Sequence, residues 1–295
     1  MKYAIRRALM SILEKFDRRL RLSQEPFFKT IPQIVLPKLE FHIEDSCNLN
    51  CVGCNHFSPL AKRHPADYDK LRKDLGRVAE LFNGKIGVIS ILGGEPLLNQ
   101  EIVKYMELAR ELFPYNYIRI VTNGVLFEKM KDDFWQACIK YDIAIACTTY
   151  PVRFDYSKWE KIITGKGIKY ESMSDGVKDM VIYPIDPYGR QDVNINFYQL
   201  CTSNKCTFLK DGKIYPCAYA PNIDHFNSFF NKKIPLDEKD GIDIYKVNSA
   251  DEIFDFLSRP IPFCRFCKRK NNKTVKWRVS ARDIEEWYDT TNNWK

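Results

Sequence analysis

From Lys38 to Tyr183 the chain alternates between strand and helix patterns, and no other feature restricts its fold so far. Leu39–Glu44 alternates apolar and polar residues, the period of a half-buried strand. Ala66–Phe82 reads as a helix, Ile86–Leu92 as a short buried strand, Glu101–Phe113 as a helix stopped by Pro114, and Tyr117–Val121 as a strand. Phe127–Tyr141 is helical, Ile143–Thr149 a strand, Lys158–Ile163 a weaker helix, and Ile168–Met173 and Met180–Tyr183 two further strands. Such alternation implies a parallel sheet joined by right-handed crossovers. The expected fold class is α/β, a partial (β/α)6 barrel with parallel strands and with functional loops at their carboxyl ends.

After about Asp186 the rhythm changes. Thr207–Cys217 reads as a hairpin turning at Asp211-Gly212. Helices are expected near Ser249–Leu257 and from Ser280, where Asp283 three residues on completes a capping-box pattern. At the other end, residues 1–24 form an amphipathic helix pattern: Ile5, Leu9, Ile12, Leu13, Phe16 and Leu20 share one face, Arg6, Arg7, Lys15, Arg18, Arg19 and Arg21 the other. That helix would dock on the protein's own body, or on a partner or membrane surface. The expected domains are 1–37, the amphipathic helix and linker; 38–187, the barrel; and 188–295, a small α+β cysteine-rich domain.

Composition narrows the class. Of the 295 residues, 45% are hydrophobic and 28% charged, which excludes a mainly disordered chain. No stretch approaches the roughly 20 apolar residues of a membrane span. No secretory signal is readable, and the expectation is a cytoplasmic protein. The net charge of +8 suits anionic ligands without indicating nucleic acid.

Of ten cysteines, eight fall into two groups. In a long chain with an ample core, clustered cysteines point to metal or redox chemistry more than to disulfides. The first group is Cys47-x3-Cys51-x2-Cys54, directly after the first strand. Three thiolates on one tight loop can hold three irons of a cubane and leave the fourth open to an amine and a carboxylate. A zinc site made of the same cysteines with His56 or His64 is the alternative. Gly93-Gly94-Glu95-Pro96 follows the second strand, with glycines that permit close backbone approach and a carboxylate suited to an ammonium group. Thr122-Asn123-Gly124 follows the third. Successive strands of one sheet bring the three motifs side by side.

Together these motifs resemble the radical S-adenosylmethionine (radical SAM) enzymes. The resemblance implies that Cys47, Cys51 and Cys54 hold a [4Fe–4S] cluster whose open iron binds the methionine end of S-adenosylmethionine. It implies cofactor contacts from Gly93, Gly94, Glu95, Pro96, Thr122 and Asn123, reductive cleavage to a 5′-deoxyadenosyl radical, and hydrogen abstraction from a substrate. One departure stands out: Gly53 occupies the position before the third cysteine where many members carry an aromatic residue, so Phe57 is the candidate to pack on the adenine.

The second group is Cys201, Cys206, Cys217, Cys264 and Cys267, with Gly212 five residues before Cys217. It resembles the twitch, or shortened SPASM, extension that carries one auxiliary [4Fe–4S] cluster. Five cysteines compete for four positions. The family's spacing favours Cys201, Cys217, Cys264 and Cys267, with Cys206 able to replace one, and Lys268, Arg269 and Lys270 nearby to offset cluster charge. A structural zinc knuckle is the alternative. Cys138 reads as a core thiol. Cys147 is read first as a core thiol too, yet Cys147 and Tyr150 at the fourth strand end are also conceivable hydrogen donors in an epimerisation.

The first 37 residues leave no room for a separate leader-peptide recognition domain, which weighs against a peptide substrate. The cysteine loop through Pro59, with Gly212-Lys-Ile-Tyr-Pro-Cys217, resembles radical SAM proteins associated with bacterial surface-polysaccharide loci. That resemblance implies a small sugar-like or phosphate-bearing substrate, oxidised or epimerised, and an electron donor such as flavodoxin or ferredoxin. Lys62, Arg63 and His64 could meet a phosphate or simply lie in a solvated loop. The remaining readings are radical modification of a peptide or protein, and a non-enzymatic zinc protein that binds nucleic acid.

Overall fold

The computed structural model of the protein describes residues 35–174, 176–199, 201–203, 206–268 and 272–290. The amphipathic helix expected at 1–24, and Arg269 and Lys270, lie outside the described residues.

The strand–helix rhythm becomes β1 (Leu36–His42), α1 (Tyr68–Phe82), β2 (Ile86–Leu92), α2 (Ile102–Leu112), β3 (Tyr117–Thr122), α3 (Asp132–Lys140), β4 (Ile143–Thr148), α4 (Tyr156–Gly165) and β5 (Tyr170–Ser174). Each helix follows from local chemistry. In α1, the Asp67 carboxylate caps the amino end by accepting from the Lys70 amide at 3.0 Å, and Leu71, Leu75, Val78 and Phe82 bury one face. The segment expected as one helix over Phe127–Tyr141 is a single 3-10 turn at Phe127–Lys129 followed by α3.

The main sheet has the order β5-β4-β3-β2-β1-β7-β8-β9, in which β7 is Phe208–Lys210, β8 is Lys213–Tyr215 and β9 is Ile242–Asp243. Strands β1 to β5 are parallel throughout. The sixth parallel strand is not the one that the sequence suggests. Met180–Tyr183 was expected there, but β6 (Asp179–Ile182) leaves the sheet and pairs antiparallel with β10 (Lys273–Lys276). The physical reason is chain length: only Asp175–Lys178 separates β5 from β6, and a parallel neighbour needs a crossover of about a dozen residues. Instead β7 (Phe208–Lys210) lies parallel to β1 on its other side.

The hairpin of β7 and β8 (Lys213–Tyr215) turns at Asp211 and Gly212, both at positive φ (52° and 73°), the signature of a two-residue hairpin turn. β9 (Ile242–Asp243) pairs with β8. The sheet is therefore continuous across residue 187, with a parallel part and an antiparallel extension, and it is open at β5 and β9. Between and after these strands come α5 (Ile195–Gln199), α6 (Ile223–Phe230) and α7 (Ala250–Leu257). The helix expected from Ser280 is one 3-10 turn, Ile284–Glu286, capped by Asp283 rather than Ser280.

The buried apolar residues form two clusters. The larger lies between the sheet and its helices and includes Phe41, Ile89, Ile120, Phe134, Ile145 and Phe254. The smaller lies beneath the cysteine loop and gathers Phe57, Tyr219, Phe226, Phe263 and Trp287. The described residues contain no helix long and apolar enough to cross a membrane.

Candidate active site at the carboxyl ends of the parallel strands

The loop after β1 carries the first cysteines, and buried polar groups hold it down. Glu44 is 1% exposed, and its Oε1 accepts from the Ser46 amide (3.1 Å), the Ser46 hydroxyl (2.8 Å) and the His64 amide (3.0 Å), which ties the two ends of the loop together. Asn50, Gly53 and Phe57 adopt positive φ, which curls the chain between the cysteines. Gly53, at φ 60°, explains the departure from the family pattern: a Cβ there would lie 2.4 Å from Ile182 Cγ1, so β6 already fills the space of a side chain.

The Gly-Gly-Glu-Pro loop after β2 docks against this one. A Cβ on Gly93 would sit 2.2 Å from the Glu44 carbonyl oxygen, and one on Gly94 2.4 Å from that of Ser46. The close approach lets the Gly94 amide donate to Glu44 O (2.8 Å) and the Glu95 amide to Ser46 O (2.9 Å). The Glu95 carboxylate, 1% exposed, then reaches the third motif. Its Oε1 accepts from the Leu97 amide (3.1 Å) and the Thr122 hydroxyl (2.6 Å), its Oε2 from the Asn123 amide (2.9 Å). Burial pushes this carboxyl up to about 7, against the three hydrogen bonds that pull it down. The Asn123 side-chain amide donates to Asn48 Oδ1 at 2.8 Å and stands 3.9 Å from Cys47 Sγ.

These three motifs line one cavity of about 260 Å³, which holds Cys47, Cys51, Cys54, Gly93, Gly94, Glu95, Thr122 and Asn123 on its walls. Burial pushes the Cys51 thiol up to about 11, and the indole N–H of Trp277 (3.1 Å from Sγ) and the Tyr150 hydroxyl pull it partly back. Burial raises Cys47 and Cys54 as well. Three thiols on one wall are the donor set of an iron–sulfur cluster, which would keep them deprotonated. Among the described residues no three or more His, Cys, Asp or Glu side chains form a shell able to hold a metal ion.

Several expected residues sit elsewhere. Phe57 is fully buried and packs edge-on against Tyr219 (5.5 Å between centroids) and near Trp287, in the smaller core rather than on the cavity wall. Cys147 is fully buried in the main core, where its sulfur accepts from the Tyr170 hydroxyl; its neighbours Thr148 and Tyr150 face the cavity instead. Strand alternation explains the difference, since consecutive side chains of β4 point to opposite faces. Pro96 opens a 3-10 turn just beneath the wall. His64 lines a separate cavity, and Arg63 donates to Leu98 O at 3.4 Å, so neither basic residue faces the cysteines.

In the second group, Cys201 lies within electrostatic reach of Cys206, Cys217 and Cys264. Burial pushes Cys217 up to about 12 and raises Cys264. Cys267 follows in the turn after Cys264, its amide donating to Cys264 O at 3.1 Å. Cys206 differs from the others: it lines the first cavity, with Lys38 Nζ 4.0 Å from its sulfur. Lys268 is buried and ion-paired with Asp289.

One feature had no sequence signal, a chain of imidazoles that starts at His56 on the cavity wall and runs through the buried His42 to Asp45 and His225. His42 Nδ1 lies 2.9 Å from Asp45 Oδ1, His42 Nε2 2.9 Å from His56 Nδ1, and His225 Nε2 3.4 Å from Asp45 Oδ2. Burial holds His42 near 3 and therefore neutral, so its Nδ1–H donates to Asp45 and its Nε2 accepts from His56. Burial works upward on Asp45, but the His225 imidazole 3.4 Å away and the hydrogen bond from His42 prevail and hold it well below the usual carboxylate range. These residues lie at separations of 3, 14 and 180 positions or more, with no shared spacing for a sequence pattern to reveal.

Comparison with known proteins agrees with this geometry. Residues 43–165 match the profile of the Radical SAM superfamily. The GTP 3′,8-cyclase of Clostridium acetobutylicum is 25% identical over 79% of this chain and 76% of its own length. That of Desulforamulus reducens is 34% identical over 34% of this chain and 30% of its own. Among solved structures, BtrN in complex with AdoMet and 2-DOIA aligns over 87% of this chain and 98% of its own with 16% identity and a TM-score of 0.49. The superfamily implies a [4Fe–4S] cluster and S-adenosylmethionine, and three thiols beside a glycine-lined cavity fit both. The chain thus matches the Radical SAM superfamily over residues 43–165, the stretch that carries all three cavity motifs.

Proposed function

We propose that this protein is a radical SAM enzyme acting on a small polar, sugar-like or phosphate-bearing metabolite, which it oxidises or epimerises. The observation that carries the reading is the convergence of Cys47, Cys51, Cys54, Gly93–Glu95 and Asn123 on one cavity at the carboxyl ends of β1, β2 and β3. In this reading Cys47, Cys51 and Cys54 hold the first cluster, and Gly93, Gly94, Glu95, Thr122 and Asn123 hold S-adenosylmethionine, with Pro96 shaping the turn that follows Glu95. When bound and reduced by one electron, that pair would supply a 5′-deoxyadenosyl radical for hydrogen abstraction from substrate.

The protein's own groups orient and shield that chemistry. Glu95 locks the second and third motifs together, and Tyr150 covers the cysteines with its hydroxyl on Cys51. We assign a second [4Fe–4S] cluster to Cys201, Cys217, Cys264 and Cys267, as the acceptor of the substrate electron if the reaction is an oxidation. Cys206 is then the spare thiol. It faces the cavity, and so replaces Cys147 as the cysteine positioned to return a hydrogen atom in an epimerisation. The cyclase names of the sequence relatives favour a second reading, a purine nucleotide as substrate, which the net charge of +8 also suits.

Iron and sulfide analysis of anaerobically prepared protein tests the assignment. Wild type should carry about eight irons, and Cys206→Ala about eight, whereas Cys217→Ala should fall to about four. A Cys206→Ala protein that loses half its iron would move Cys206 into the second cluster. Stoichiometric zinc without iron would overturn the radical reading. Formation of 5′-deoxyadenosine stimulated by nucleotide sugars, by GTP or by peptides separates the substrate classes.

A further inference from the structure

The carboxyl-terminal segment reaches back across the whole domain to the cysteine loop. After β10, the Val52 amide donates to Arg278 O (3.0 Å) and the Ser280 amide to Asn50 O (2.7 Å), with Cys51 and Val279 opposed as an antiparallel bridge. This short ladder fixes the register of residue 277 against residue 51. The Trp277 amide is anchored too, donating to Lys178 O at 2.9 Å. The Trp277 ring leans on Tyr150 at 5.8 Å between centroids and 45°, and its Nε1 stands 3.1 Å from Cys51 Sγ.

We propose that Trp277 is a positioning residue for the first cluster: its indole N–H donates to the Cys51 sulfur and thereby raises the cluster's reduction potential. The inference rests on the reading that Cys47, Cys51 and Cys54 hold that cluster. An indole is a donor only, so its proton can meet the sulfur in no other role. A donor aimed at a thiolate ligand stabilises negative charge there, and reduction adds negative charge. The reduced state gains more than the oxidised state, and hydrogen bonds to cluster sulfurs shift potentials in this way. Cys47 and Cys54 take backbone amides of their own loop, those of Leu49 and Asn50 and those of His56, Phe57 and Ser58, whereas Cys51 takes side-chain donors from distant segments, Trp277 and Tyr150. The donor also comes from a distant part of the chain. The same segment continues to Trp287, whose carbonyl accepts from the Ile185 amide (2.7 Å), and Ile185 is itself bridged to Cys267 of the second group. The first cluster's potential is therefore set in part by how the carboxyl-terminal segment seats.

The test is an EPR-monitored redox titration of the full chain with its clusters loaded, comparing wild type, Trp277→Phe and Trp277→His. The first cluster's signal is the one that changes when S-adenosylmethionine is added. Phe keeps the ring against Tyr150 and removes the donor, while His keeps a ring N–H. The expected result is wild-type iron content in both variants, a lower midpoint potential for the first cluster in Trp277→Phe, and a smaller displacement in Trp277→His. The second cluster's midpoint should not move. An unchanged midpoint in iron-replete Trp277→Phe would overturn the inference while leaving the cluster assignment intact. Loss of the first cluster in both variants would overturn it as well, since the ring's bulk rather than its proton would then be what matters. A wild-type chain that binds no cluster through Cys47, Cys51 and Cys54 would remove the underlying reading itself, an outcome visible in the iron analysis before any titration.

Discussion

Glu95 shows how much one side chain can carry here. It is buried at the end of β2, and its two oxygens accept from three donors on two loops. An amide in its place has a single acceptor oxygen. Glu95→Gln must turn its NH2 toward either the Leu97 or the Asn123 amide, donor against donor. The expected loss of stability is about 1–3 kcal/mol, because a buried donor is left unpaired. Thermal unfolding of the variant should show it, and binding of S-adenosylmethionine to the cluster-loaded protein should weaken in parallel. Unchanged affinity would mean that Glu95 serves the loops alone. At this scale the sequence was informative about residue type and less so about direction. Gly93 and Gly94 were expected where backbone must come close, and it does, although the nearest neighbours are the carbonyls of the cysteine loop.

Among the elements, the hairpin β7–β8 depends on a helix far away in sequence. The buried Asp74 carboxylate of α1 accepts from the Gly212 amide at 2.9 Å and from the Tyr245 hydroxyl at 2.7 Å. These bonds fasten the Asp211-Gly212 turn to the helix layer and so hold β7 beside β1. Asp74→Ala would strand the Gly212 amide, and we expect about 1–3 kcal/mol of destabilisation by chemical denaturation. Hydrogen exchange should quicken in β7 and β8 before it does in β2 to β4. Uniform exchange across the sheet would show that the turn needs no such anchor. The turn itself was legible because Asp-Gly favours two successive positive φ angles. Its place in the sheet was not, because strand partners are chosen by packing at long range rather than by local pattern.

The whole molecule is closed by its carboxyl-terminal segment. Trp287 is 1% exposed, its indole N–H donates to Cys54 O at 2.9 Å, and its ring fills the smaller core beside Phe57 and Phe230. Trp287→Ala removes a large buried side chain and a loop hydrogen bond together, with an expected cost of about 3–5 kcal/mol. Iron content should fall along with the melting temperature, since the carbonyl of Cys54 loses its tether. A variant with wild-type stability and iron would show that the cysteine loop holds its shape without this segment.

What the sequence determined by itself are the features written in local chemistry. The strand–helix alternation specified β1 to β5 and their parallel course, and the cysteine, Gly-Gly-Glu-Pro and Thr-Asn-Gly motifs marked the walls of one cavity. Tertiary structure alone decided that β6 leaves the sheet, that β7 takes its place beside β1, and that Phe57 and Cys147 turn into cores. It also decided that His42, Asp45, His56 and His225 join in one chain and that Trp277 meets Cys51. The physical reason is common to all of these. Periodicity and turn chemistry act over a few residues, whereas burial, partner and facing depend on which distant segments arrive at the same place.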